Sequence, residues 1–143
     1  MASATSSVII NQPVSKVFSY ITSVENHTTW QPGILSAQAT PPGPIQLGTV
    51  YHYVTEVMGK RYETQTQVSA FELNKKWATK TIGVPKSVET VYIFEEGPNN
   101  TTRLTISMDL TGAYPAAAEG MIQKQMQKTF DEQALRLKQF AER

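Results

Sequence analysis

Four tyrosines and three threonines recur at strand-like spacing through the middle of this chain: Tyr51 and Tyr53, then Tyr62, Thr64 and Thr66, then Thr90 and Tyr92. Each joins an apolar body to a hydroxyl tip. Facing inward together, they would line an interior in which a guest or ordered water meets the hydroxyls, because a buried hydroxyl needs a partner. An ordinary core would use Leu, Ile, Val and Phe instead. Glu56, Glu63 and Glu89 fall in the same stretches, and a carboxylate enclosed by apolar surface has a raised pKa and can act as acid or base. Alternation places Glu63 and Glu89 outward, since Tyr62, Thr64, Thr90 and Tyr92 take the inner face. Around Tyr51 two parities stand. The preferred one turns Tyr51, Tyr53, Thr55 and Val57 inward and His52 and Glu56 outward; a one-residue bulge would reverse it.

Other chemistries find little support. His27 and His52 are the only histidines, Asp109 and Asp131 the only aspartates, and no metal-binding spacing occurs, so neither metal nor cofactor is expected. Gly43 to Gly48 has phosphate-loop spacing, but Thr49 stands where the lysine belongs. The 143 residues carry 13 basic and 12 acidic side chains, which argues against a nucleic-acid partner. The absence of cysteine excludes a disulfide framework and a thiol nucleophile. No run approaches the roughly 20 apolar residues that span a bilayer, so stable membrane insertion is not expected. Residues 1–7 lack the basic and apolar regions of a signal peptide, giving a cytoplasmic expectation in which the sequons at Asn26, Asn99 and Asn100 stay idle.

The elements that would position these residues are legible from period and punctuation. Thr5 to Asn11 reads as a strand, and Pro13 suits the first position of a helix with Val14, Val17, Phe18 and Ile21 on one face. A second brief helical turn follows Thr22-Ser23 and stops at Trp30-Gln31-Pro32-Gly33. Six strands then succeed one another: Ile34 to Thr40, Gly48 to Met58, Arg61 to Phe71, Trp77 to Ile82, Val88 to Glu95 and Thr101 to Thr111. From Pro115 to Arg143 one long amphipathic helix is expected, its apolar stripe carrying Ile122, Met126, Phe130, Ala134, Leu137, Phe140 and Ala141. Strands in hairpin succession argue for an antiparallel sheet, and only a curved sheet offers enough apolar surface to bury that stripe. The length suits a single domain over residues 1–143.

This order resembles the SRPBCC superfamily, the START-like helix-grip fold, and most closely its polyketide cyclase/dehydrase-like branch. The matching segments are Pro13 to Ile21, Trp30 to Ile34, Gly48 to Tyr51, Val68 to Glu72, Thr102 to Thr105 and the C-terminal helix. Two departures are Thr22-Ser23, where an Asp is common, and the proline-rich loop from Thr40 to Leu47. The resemblance implies an α+β architecture: a bent antiparallel sheet of six to seven strands gripping the long helix, with two short helices after the first strand. It also implies an apolar cavity between sheet and helix that binds lipids, polyketides or similar molecules. The expected ligand-binding residues are Trp30, Tyr51, Tyr53, Tyr62, Thr64, Thr66, Thr90, Tyr92, Met108, Tyr114 and Met121, with the methionines as adaptable walls and Met126 as plain core. The expected function is binding or carriage of a small hydrophobic ligand by a monomer or homodimer. The alternative is a polyketide cyclase/dehydratase-like enzyme moving protons with cavity Tyr or Glu groups.

Overall fold

The computed structural model describes residues 3–31, 33–83, 88–109 and 115–142. Strand β1 (Ser3–Ile10) leads into α1 (Val14–Thr22), a 3-10 turn (Val24–Asn26) and the short α2 (His27–Trp30). Strands β2 (Ile34–Thr40), β3 (Val50–Val57), β4 (Lys60–Glu72), β5 (Lys76–Ile82), β6 (Glu89–Gly97) and β7 (Thr101–Asp109) follow, and α3 (Ala116–Ala141) closes the chain. The seven strands form one sheet in the order β1-β7-β6-β5-β4-β3-β2, with every pairing antiparallel. This is the helix-grip arrangement expected from the sequence. Element limits shift by a residue or two, as at the β3–β4 hairpin: Met58 and Gly59 both take positive φ and form the two-residue turn, so Lys60 already belongs to β4.

Two bulges bend the sheet. In β4 the pairing with β5 slips between Val68 and Ala70, so Ser69 is the extra residue. Simple alternation therefore breaks there: Val68 opposes Thr79 and Phe71 opposes Trp77, which keeps both Val68 and Phe71 on the concave side. A second irregularity, at Leu35 in β2, lies between Ile34 and Ser36.

The concave face and α1 enclose the core. Val17, Phe18 and Ile21 of α1 are buried, and Phe18 sets its ring edge-on to Phe71 and Phe94 at 5.3 and 4.9 Å. From α3, Phe130, Ala134, Leu137 and Ala141 are buried, with Met126 packed partly against the same cluster. The expected stripe is thus the face that α3 buries. Among the described residues, no helix is long and apolar enough to cross a membrane.

β1 is an edge of the sheet, and α3 runs along it. The Gln127 side chain accepts from the Thr5 N–H at 3.0 Å and donates to the Thr5 carbonyl at 2.6 Å, as a neighbouring strand would. Gln123 donates to the Ser3 carbonyl and Lys138 to the Ile9 carbonyl, while the Asn11 N–H donates to Glu142. These polar rungs satisfy backbone groups that an open edge leaves bare. Gln127→Ala should remove two of them, costing about 1–2 kcal/mol in urea unfolding, with faster amide exchange at Thr5.

Candidate functional site

A cavity of about 160 Å³ lies between the concave face and α3. The sheet supplies Tyr53, Thr66, Trp77, Thr79, Thr90, Tyr92 and Met108; α3 supplies Met126, Thr129, Phe130 and Gln133; Gln31 follows α2. Register explains the selection. Tyr53 is opposite Thr64 and Tyr51 opposite Thr66 across β3–β4, while Trp77 opposes Tyr92 and Thr90 opposes Met108, so inward-pointing residues of neighbouring strands share one surface.

The aromatic wall is continuous. Trp77 lies 4.7 Å from Tyr92, and Trp30 meets Tyr92 edge-on at 5.9 Å. Tyr51 and Tyr53 stack at 6.0 Å. Behind them lies His27, which is fully buried. Its Nε2 is 2.9 Å from the Ile21 carbonyl, which can only accept, so Nε2 carries the proton. Nδ1 is then the acceptor, and the Tyr53 hydroxyl donates to it at 2.8 Å. Burial pushes the imidazole down from 6.5 to about 4, with the Ile21 hydrogen bond opposing. Burial likewise raises the phenols of Tyr51, Tyr53 and Tyr92 well above the ordinary tyrosine range. Tyr51 donates to the Thr22 carbonyl at 2.8 Å. Replacing Tyr53 by Phe should strand Nδ1 of His27 and cost about 1–3 kcal/mol, measurable by urea unfolding at neutral pH.

Some polar atoms in the wall lack partners. The Gln133 Oε1 and Thr66 Oγ1 atoms are buried without a hydrogen bond, as are the indole N–H groups of Trp30 and Trp77. The Trp77 N–H and Thr66 hydroxyl approach the phenol oxygens of Tyr51 and Tyr53, yet fall short of good geometry. Of these four residues, Gln133, Thr66 and Trp77 line the cavity. A wider groove of about 480 Å³ runs between α1 and the loops around Pro44 and Asn74, but none of those orphaned atoms lies in it. The inner cavity is the better candidate.

The expected residues divide accordingly. Tyr53, Thr66, Thr90, Tyr92 and Met108 line the cavity, and the buried Tyr51 and Trp30 pack behind it. Tyr62 and Thr64 share the concave face near the β3–β4 hairpin but are exposed, Tyr62 by 49%. Met121 is 72% exposed, one residue off the buried stripe of α3. Those three do not belong to the wall. Tyr114 lies outside the described residues. The tyrosines of β3 turn inward, while His52 bonds to Thr40 on the opposite face and Glu56, Glu63 and Glu89 are exposed.

His27, Trp77 and Gln133 were not singled out as site residues by the sequence. For His27 the available signal was its spacing of three from Trp30, which puts both on one side of α2. For Gln133 it was a polar residue bordering Phe130 and Ala134 on a buried stripe. Among the described residues, no three His, Asp or Glu side chains gather where they could hold a metal.

Fold and cavity together define the class, a START-like helix-grip domain with a cavity between sheet and long helix. A family model described as polyketide cyclase / dehydrase and lipid transport matches residues 1–142, and the chain belongs to that family. Among solved structures, a START superfamily protein from Mycobacterium smegmatis superposes with a TM-score of 0.79 at 15% identity, covering 99% of this chain and 98% of that one. BexL, a di-domain aromatase/cyclase of the BE-7585A biosynthetic pathway, gives 0.74 at 18% identity, and 99% of this chain aligns with 50% of BexL. DynU16, from the dynemicin biosynthetic locus, gives 0.72 at 17% identity, covering 99% of this chain and 48% of DynU16. This chain therefore spans about half the length of the last two. No curated protein matches it by sequence.

Proposed function

We propose that the protein binds or carries a small hydrophobic molecule in the cavity between α3 and the sheet, acting as a single cytoplasmic domain, monomeric or homodimeric, without nucleic acid. The observation that carries this reading is an aromatic cavity whose wall holds Gln133 with its buried Oε1 unpartnered, an arrangement that a guest completes. The lipid and polyketide classes named for the family are the starting candidates. Native mass spectrometry and thermal-shift screening with lipids, sterols, aromatic polyketides and smaller aromatics test it. Binding that raises the melting temperature supports the reading; no response to any compound overturns it.

One observation favours a catalytic alternative: the hydrogen bond from Tyr53 to His27, with Tyr53 at the cavity wall. A carbon acid in the cavity would pass its proton to the Tyr53 oxygen while the phenol proton moves to Nδ1 of His27, leaving an enolate and an imidazolium. A pKa of about 4 makes His27 a weak acceptor for that proton, so binding is the preferred function. Turnover of a short oligoketide that is lost in both Tyr53→Phe and His27→Gln, with binding retained, would reverse the preference.

A further inference from the structure

Resting on the binding function above, we infer that the guest is a neutral, single-ring molecule carrying a hydrogen-bond donor, which it presents to Gln133. Three observations converge on this class.

The first is size. The cavity holds about 160 Å³, close to the engineered void of about 150 Å³ that accepts benzene and far below the roughly 300–1,000 Å³ of sites for drug-sized ligands. One ring fits that volume, and the thioether side chains of Met108 and Met126 in the wall can adjust to its outline.

The second is charge. Among the described residues, no Asp, Glu, Lys, Arg or His side chain lines the cavity, and its two tyrosines stay neutral because burial raises them. A carboxylate or ammonium guest would lose its hydration with no counter-ion to replace it. A neutral guest loses far less.

The third is the polar wall. Gln133 is 7% exposed, and its buried Oε1 has no partner. Thr66, whose hydroxyl approaches the Tyr53 phenol oxygen, is contributed to the same cavity by β4. A carbonyl oxygen calls for a donor, and a hydroxyl accepts or donates as the guest requires. A ring bearing a hydroxyl or amide N–H meets these demands while its faces rest on Trp77, Tyr92 and Phe130.

The test is calorimetric titration and NMR with size-matched probes: phenol and benzyl alcohol (neutral donors), toluene (no donor), benzoate (charged), with 2-naphthol and palmitate as larger guests. Phenol or benzyl alcohol should bind saturably, shift the Gln133 side-chain amide resonances and exceed toluene about tenfold in affinity, with no benzoate binding. Gln133→Leu should abolish the advantage of phenol over toluene. If palmitate or 2-naphthol binds and the single-ring probes do not, the size assignment fails while the binding function stands. Equal affinity for phenol and toluene, or an unchanged preference in Gln133→Leu, overturns the polar assignment. If no probe of any class binds, both conclusions fall.

Discussion

Trp77→Ala should destabilise the protein by about 3–5 kcal/mol, the usual loss when a large buried aromatic is truncated and its neighbours cannot collapse into the space. Trp77 is 1% exposed and touches three aromatic groups, lying 5.8 Å from His27, 5.8 Å from Tyr51 and 4.7 Å from Tyr92. Its removal would empty one side of the cavity and leave the partners of that cluster facing a void. Since a whole domain is stable by only about 5–15 kcal/mol, the variant sits near its limit, and Trp77→Phe provides a milder member of the series. Urea unfolding measures the loss. The enlarged cavity should also accept two-ring molecules, so 2-naphthol should recover part of the lost stability in proportion to its occupancy. A loss below about 1 kcal/mol would show that the wall relaxes and that Trp77 does not hold the cavity open.

Acidification should weaken the fold through His27. In the folded chain burial holds its pKa near 4, whereas the unfolded chain titrates near 6.5. The depressed value means that the unfolded state binds the extra proton as pH falls. The contribution is therefore complete above pH 6.5 and is lost progressively down to about pH 4. Within that window the slope is about 1.4 kcal/mol per pH unit, amounting to about 3 kcal/mol in total. His27→Gln cannot titrate there, so its stability should be flatter with pH, and the gap between the two proteins should change by that amount. Parallel pH profiles for the two proteins would mean that His27 takes up its proton as readily folded as unfolded.

Much of the architecture was legible because its signals are local. Pro13 and Pro115 mark helix starts, Gly59 marks a hairpin, and the stripe from Met126 to Ala141 has one period throughout. The order of seven strands and three helices follows from such marks. What escaped depends on the relation between elements. The bulge at Ser69 leaves no trace in residue type, yet it lets Val68 and Phe71 face the same way. Alternation put Tyr62 and Thr64 on the concave face, but it does not report which part of that face is covered, and these two are exposed. Gln133 escaped because a glutamine on a helix is usually solvated. Its burial follows from the shape of the opposing sheet, which no pattern along α3 records.

The β1 border has a consequence for how this protein meets other copies of itself. An uncovered border strand invites another chain to extend the sheet, and that recruitment can continue indefinitely. Here the amides of Gln123 and Gln127, with Lys138 and Glu142, already occupy backbone groups at Ser3, Thr5, Ile9 and Asn11. The terminal helix thus serves as a surrogate eighth strand that cannot itself be extended. Shortening the chain before α3 would both hollow the interior and expose a sticky seam, and the truncated product should form fibrils or precipitate rather than persist as a smaller soluble fold.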